Sequence, residues 1–369
     1  MRWLRAGFVA AVALLLGVFL VAGSSAAAPV AAQPVPLPKA YVLVDVDTGA
    51  VIAQQEPRAL RPPASTIKLL TALIAAQRLT SADAVPISAV ADGMPARKIN
   101  VKTGQVWTFD HLMNSMLMVS ANDAAVALAE KIGGGTLDGY VPIANQTASR
   151  LGLSDNPILN DPAGLDDEFA NRGGDRISAR DLAIVARAVM ARPDLMNILG
   201  TREYRFTGGD SLGHRLKNHN LFLDMYAGAN GLKTGTTELA GHTFVGSASR
   251  NGRTMLVVIF DAVDSYASAA ALLDQGFNTP VAAEAAFDHL PAVVPDASLP
   301  PPPAPEPAAI VPTPAHRRSI FDSTAFALVV LVVGLLPLVA LRRRVIVSKT
   351  RARSVRGHDE SATLVRSGR

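Results

Sequence analysis

Short β-rich runs stand at both ends of the central part of this chain, and a long Ala-, Leu- and Met-rich stretch lies between them. That order constrains the fold more than any other feature, because unpaired strands are unstable and the two ends must meet in one sheet. Residues 40–46 and 50–54 flank Asp47-Thr48-Gly49 and predict a hairpin. Pro62-Pro63 halts the chain, and an apolar-periodic run starts at Ser65 and continues to about Leu79, which predicts a helix. The middle, from about 80 to 200, carries helical spacing, as in 109–119, 122–132 and 179–190. Ser178 is placed as an N-cap with Asp181 in the first turn. After Gly200 the runs 204–207, 231–237, 242–249 and 254–262 are β-rich, with Asn251-Gly252 as a hairpin turn, and 266–276 closes as a helix. The expected fold is α+β: an antiparallel sheet built from both ends of the domain, flanked by helices, beside a mostly α-helical lobe.

The flanks bound this domain to residues 36–286. Residues 1–32 have a charged start, an apolar run and small residues ending in Val30-Ala31-Ala32, the pattern of a signal peptide. The apolar run is long for a signal, so a retained anchor is the alternative. Residues 287–322 are dominated by Pro and Ala around Pro300-Pro301-Pro302-Pro303 and read as a stiff linker, extending ~3.1 Å per residue. Residues 324–341 are apolar and end in Arg342-Arg343-Arg344, which predicts a transmembrane helix. The tail, 342–369, holds nine Lys/Arg and two Asp/Glu, a net +7 that leaves −3 for the rest of a chain whose total is +4. Basic charge confined to a tail argues for membrane topology and against nucleic-acid binding. The expected arrangement is a single-pass membrane protein with its folded domain outside the cytoplasm and its C-terminus inside. The chain has no cysteine, which excludes disulfides, a thiolate nucleophile and cysteine-held metals.

Three short polar motifs follow one another in the folded part: Ser65-Thr66-Ile67-Lys68, Ser120-Ala121-Asn122 and Lys233-Thr234-Gly235. Ser65 and Lys68, three apart on a helix, share a face. A serine hydroxyl needs a base to become a nucleophile, and a lysine serves only if burial or another cation strips its proton. Lys233 is a candidate for that cation. Ser120 can pass protons, and the Asn122 amide can both donate to and accept from a peptide group. Lys233, Thr234 and Thr237 can hold a carboxylate, and Gly235 permits close backbone approach of a ligand. The Thr236 N–H is a candidate oxyanion donor beside that of Ser65. Taken singly, each motif reads as a helix cap or an edge strand, and S-x-x-K arises about once by chance in a chain this long. Together, in this order and on helix, helix and strand, they specify acyl transfer with no cofactor and no metal.

Over residues 38–280 the chain resembles the serine D-alanyl-D-alanine carboxypeptidases of low molecular mass, within the penicillin-binding and serine β-lactamase superfamily. Beyond the triplet, the resemblance lies in Ser120 to Ala125, Asp161-Pro162-Ala163-Gly164-Leu165, residues 178–183 and Lys217-Asn218-His219-Asn220. It implies that Ser65 is acylated by the penultimate D-alanine of peptidoglycan stem peptides and that the terminal D-alanine leaves. Lys68 is then the base, Ser120 the proton relay, Asn122 the holder of the peptide, and Lys233, Thr234, Gly235, Thr236 and Thr237 the carboxylate side. It also implies that β-lactam antibiotics acylate Ser65 as mimics. His219, at a position often basic in the family, is a candidate contact for the substrate carboxylate. No room remains between 286 and 323 for the second β-rich domain of longer family members.

Two other readings share these motifs. A class A-like β-lactamase would need a glutamate in the loop between the second and third motifs, and residues 160–169 lack a Glu-x-x-Leu-Asn pattern. A membrane-tethered penicillin receptor or scaffold fits the topology, although the basic tail is too short to hold a core. Transpeptidation depends on access, which motifs do not report. Asp161, Asp166, Asp167 and Glu168 read as a solvated turn, Met113, Met116 and Met118 as core, and Asn145-Gln146-Thr147 as a glycosylation sequon of little weight.

Overall fold

The computed structural model describes residues 35–170 and 173–293. Among the described residues there are nine strands: β1 (Ala40–Asp45), β2 (Val51–Gln55), β3 (Ala84–Pro86), β4 (Val106–Thr108), β5 (Glu203–Thr207), β6 (Gly213–Lys217), β7 (Ala229–Thr237), β8 (Gly241–Arg250) and β9 (Arg253–Ala262). The helices are α1 (Lys68–Arg78), α2 (Ala89–Asp92), α3 (Phe109–Met118), α4 (Asn122–Ile132), α5 (Leu137–Leu151), α6 (Ala179–Met190), α7 (Pro193–Gly200), α8 (Phe222–Met225) and α9 (Ser265–Asn278).

The main sheet runs β2-β1-β9-β8-β7, antiparallel throughout. The sheet does draw on both ends of the domain: β1, near the start, pairs along its length with β9, Ala40 opposite Phe260 and Asp45 opposite Met255. Successive side chains of a strand point to opposite faces. Val42, Val44, Leu256 and Val258 accordingly pack with the helical lobe, while Tyr41, Leu43, Val257 and Ile259 pack with Leu272 and Leu273 of α9. Both faces are covered, so β1 is buried at every residue and reads as a continuous apolar run rather than an alternating one. The β8–β9 turn places Asn251 and Gly252 both at positive φ, as a two-residue hairpin requires.

In the lobe, α4 is buried on nearly every side and α6 is capped by Ser178, whose Oγ accepts from the Asp181 N–H at 2.9 Å. Asn145 of the sequon sits on α5, where its amide donates to the Val141 and Leu159 carbonyls.

Three expectations need correction. The 204–207 run lies outside the main sheet: β5 pairs only with β6, in a separate hairpin. The chain remains packed past 286, where the linker was expected to begin. Val51 N donates to Asp288 O at 2.7 Å and Leu290 N to Gly49 O at 2.9 Å, which seals the β2 edge; Arg180 pairs with Asp288, and Leu290 is buried. Asp161 is buried and does not belong to a solvated turn. The segments expected to be a signal peptide (1–32), a transmembrane helix (324–341), a basic tail (342–369) and the linker beyond 293 lie outside the described residues. Among the described residues, no helix is long and apolar enough to cross a membrane.

Candidate active site

Ser65 stands not at the first turn of an α-helix but in a 3₁₀ turn, Ala64–Ile67, that runs directly into α1 at Lys68. In 3₁₀ geometry residues i and i+3 eclipse. Ser65 and Lys68 are therefore stacked, with Lys68 Nζ 2.7 Å from Ser65 Oγ. Thr66 anchors the turn by donating from Oγ1 to Pro63 O at 2.7 Å.

Lys68 is wholly buried (0% exposed). Its nitrogen meets two further acceptors, Asn122 Oδ1 at 2.8 Å and Ala163 O at 2.5 Å. Burial is the main cause that lowers its pKa to about 7, against the opposing pull of nearby carboxyl groups, Asp161 foremost. Lys233 is buried as well, and its pKa is held well below the ordinary lysine value by desolvation, then by Lys68 and Arg97.

Ser120 and Asn122 sit where α3 hands over to α4. Ser120 occupies the left-handed region at φ 63°, a conformation that costs a non-glycine residue on the order of 1 kcal/mol and is found at functional sites. Its side chain lines the cleft, and among the described residues its hydroxyl makes no hydrogen bond. Asn122 is already engaged at both ends: Oδ1 accepts from Lys68, and Nδ2 donates to Pro95 O at 3.1 Å.

The third motif lies on β7, the strand at the cleft edge of the sheet. Lys233 Nζ donates to Thr234 O at 2.9 Å. Gly235 is required for a reason internal to the protein. A Cβ there would stand 2.3 Å from Thr243 Oγ1 and 3.0 Å from Ser65 N, so glycine lets β7 press against the Ser65 turn. Thr236 Oγ1 donates to Gly235 O, and Thr237 Oγ1 donates to Asp166 Oδ1 at 2.6 Å. The Thr237 hydroxyl thus ties β7 to the loop after Asp161.

His219 is half-buried, and its Nδ1 lies 2.8 Å from Arg97 Nη1. A guanidinium only donates, so Nδ1 accepts and the proton of the neutral ring sits on Nε2. Desolvation, with Arg97 and then Lys233, lowers the His219 pKa to about 4. At neutral pH His219 is an uncharged donor and not a cation.

One open cleft of about 1130 Å³ joins Ser65, Ser120, Asn122, Thr234, Gly235, Thr236, Thr237 and His219. Lys68 and Lys233 lie behind its wall, touching Ser65 and Thr234. Against this geometry, a sequence profile described as D-alanyl-D-alanine carboxypeptidase matches residues 27–264. The chain belongs to the D-alanyl-D-alanine carboxypeptidase family. It is 33% identical over 256 residues to the D-alanyl-D-alanine carboxypeptidase DacB2 of Mycobacterium tuberculosis, an overlap of 67% of this chain and 86% of that one. It spans only 57% and 55% of the length of two other curated carboxypeptidases that it matches. A crystal structure of a D-alanyl-D-alanine carboxypeptidase from M. tuberculosis superposes with a TM-score of 0.62 at 32% identity, covering 69% of this chain and 96% of that one. Penicillin-binding protein D2 of Listeria monocytogenes, in its cefotaxime-bound form, superposes with a TM-score of 0.58 at 25% identity, covering 67% and 100%.

Five residues of this carboxypeptidase-family site were given no site role from sequence, although three of them lie in the stretch Asp161 to Leu165. Ala163 contributes a backbone carbonyl, which no side chain announces. Arg97, on the cleft wall, has no motif around it. Asp161 and Asp166 were grouped with a surface turn. Gly164 carried a signal that was available: a glycine at φ +74° whose Cβ would meet Ala64 O at 1.9 Å, so the Ala163–Gly164 peptide packs directly on the Ser65 turn.

Proposed function

We infer that this protein removes the terminal D-alanine from peptidoglycan stem peptides through an acyl-enzyme on Ser65. The observation that carries the reading is the buried Lys68 amine seated 2.7 Å from Ser65 Oγ. A neutral amine has two N–H donors and one lone pair. Asn122 Oδ1 and Ala163 O are acceptors only, so they take the two donors and leave the lone pair for the Ser65 hydroxyl proton. Ser65 Oγ attacks the penultimate D-alanine carbonyl as its proton passes to Lys68 Nζ. The Ser65 and Thr236 N–H groups receive the oxyanion. Ser120, with its free hydroxyl in the cleft, relays that proton from Lys68 to the leaving amine as the peptide C–N bond breaks, which restores the neutral lysine, and Lys233 and Thr234 take the terminal carboxylate. Water then enters, Lys68 removes its proton, and the acyl group is released.

β-Lactams acylate Ser65 by the same route, a reading that the cefotaxime complex of the Listeria relative supports. The domain is placed outside the cytoplasm by a signal peptide and tethered by a helix over 324–341, a proposal that rests on the hydropathy and Arg pattern of the sequence.

Incubation with a stem pentapeptide should release one D-alanine per peptide, while mass spectrometry should find a penicillin adduct that persists for many turnovers of peptide. Rapid loss of the adduct, with no D-alanine released, would mark a β-lactamase instead. The acylation rate should also follow the Lys68 proton. The neutral amine is the reactive form, so the rate is half-maximal near pH 7 and drops about tenfold per unit further below. Stopped-flow acylation between roughly pH 5 and 9 reads this limb directly.

A further inference from the structure

Behind the Lys68 pocket lies a layer of buried carboxylates that the mechanism does not use. Asp161 Oδ1 accepts three backbone N–H groups, from Ala163 at 2.9 Å, Gly164 at 2.6 Å and Leu165 at 3.1 Å. Those donors belong to the turn whose carbonyl, Ala163 O, meets Lys68. Thr71 of α1, three residues after Lys68, donates to Pro162 O at 2.8 Å and clamps the turn to the helix that carries the base. Asp175 Oδ1 in turn accepts from Asn160 N at 2.7 Å and Asp161 N at 2.9 Å, but its Oδ2 is buried without a hydrogen-bond partner among the described residues.

We propose that Asp161 is a positioning residue for the base: its carboxylate gathers the turn that presents Ala163 O to Lys68 and carries the negative charge of the pocket floor, while Asp175 behind it holds a proton. The inference rests on Lys68 being the base.

The distribution of donors decides which member of the pair is charged. Like charges this close do not both ionise in a dry interior. Asp161 has three N–H donors on one oxygen and Lys68 nearby; Asp175 has two donors and an oxygen with nothing to solvate it. Burial raises both carboxyls, and Asp175 is raised well above its ordinary value with Asp161 as a further cause. Lys68 is faced from the other elements by Asp123 of α4, which accepts from the Ile99, Val101 and Ala124 N–H groups, and by Lys233 of β7. The Tyr140 hydroxyl of α5 meets Thr71 at 3.0 Å, and burial holds it protonated. Among these, Asp161 leads the groups that favour the protonated lysine, and it alone also holds a ligand of the amine.

The test is the pH profile of penicillin acylation in the full-length protein. In Asp161→Asn the amide oxygen can still collect the three N–H groups, but the charge is gone. Lys68 then loses its proton more readily, and the acidic limb moves to lower pH by on the order of one unit, with the plateau rate within about tenfold of wild type. A limb that stays in place while rates fall evenly at every pH would show a purely structural role and overturn the proposal. Asp175→Asn replaces a protonated oxygen by an NH₂ group and should leave the limb unmoved. A downward shift there would place the charge on Asp175 and overturn the assignment, even if Asp161→Asn failed to fold. A wild-type profile with no limb near neutrality would instead remove Lys68 as the base, an outcome distinct from a wild-type limb that Asp161→Asn fails to move.

Discussion

Ser65→Ala is expected to yield no covalent penicillin adduct and no D-alanine release. The loss should be complete because the cleft offers no substitute nucleophile at the same point. Ser120 is the nearest alternative hydroxyl by motif, but among the described residues it has no hydrogen-bonded base, whereas Ser65 has Lys68 at 2.7 Å. The fold should tolerate the change. Among the described residues, Ser65 Oγ makes only two polar contacts, with Lys68 Nζ and a long one to Ala163 O at 3.4 Å, and the turn is anchored independently by Thr66. Intact-mass spectrometry after penicillin treatment checks the prediction, with thermal unfolding as the control. An adduct of unchanged mass and yield in the variant would refute the nucleophile assignment.

Lys68→Ala should slow acylation by about 10²–10⁴-fold, the usual value of a positioned general base. The structural cost is mixed. Removing the side chain relieves a buried amine whose desolvation already pushes it toward neutrality, yet it strands Asn122 Oδ1 and Ala163 O without a donor. Stability and chemistry therefore need separate readings: pre-steady-state acylation for the base, and denaturant unfolding for the cavity. If Lys68 is the base, the residual rate should lose the limb near pH 7. A residual rate that keeps that limb would transfer the titrating group elsewhere.

The parts of this molecule that were legible in the sequence were those in which side chains carry the information. The central strands announced themselves as apolar β-branched runs such as Tyr41-Val42-Leu43-Val44, and Asn251-Gly252 announced the hairpin through the φ values it needs. Of the ten site residues named from sequence, eight line one cleft and two lie buried just behind it. Their local partners were less legible. Gly235 was read as room for a ligand and turns out to be room for the Ser65 turn. The Thr237 hydroxyl was read as a substrate contact and is taken by Asp166. Ala163 and the three N–H groups around Asp161 act through backbone atoms, which every residue has and no pattern marks. The strap after 286 was hidden because Phe287-Asp288-His289-Leu290 is too short to show a period and runs straight into Pro and Ala.

The pairing of β1 with β9 joins residues more than two hundred positions apart, and it has a consequence for how activity appears in time. A chain emerging from its N-terminus presents Ser65 and Lys68 early, but the β7 edge that must press on the Ser65 turn, and the strand that must lie beside β1, arrive only from Ala229 onward. Closing a contact of that span is entropically costly and slow compared with forming the helical lobe. The reactive serine is thus kept unarmed until nearly all of the catalytic domain exists. A chain cut short before residue 229 would lack its β7 wall and should carry the Ser-Lys pair with no chemistry to perform.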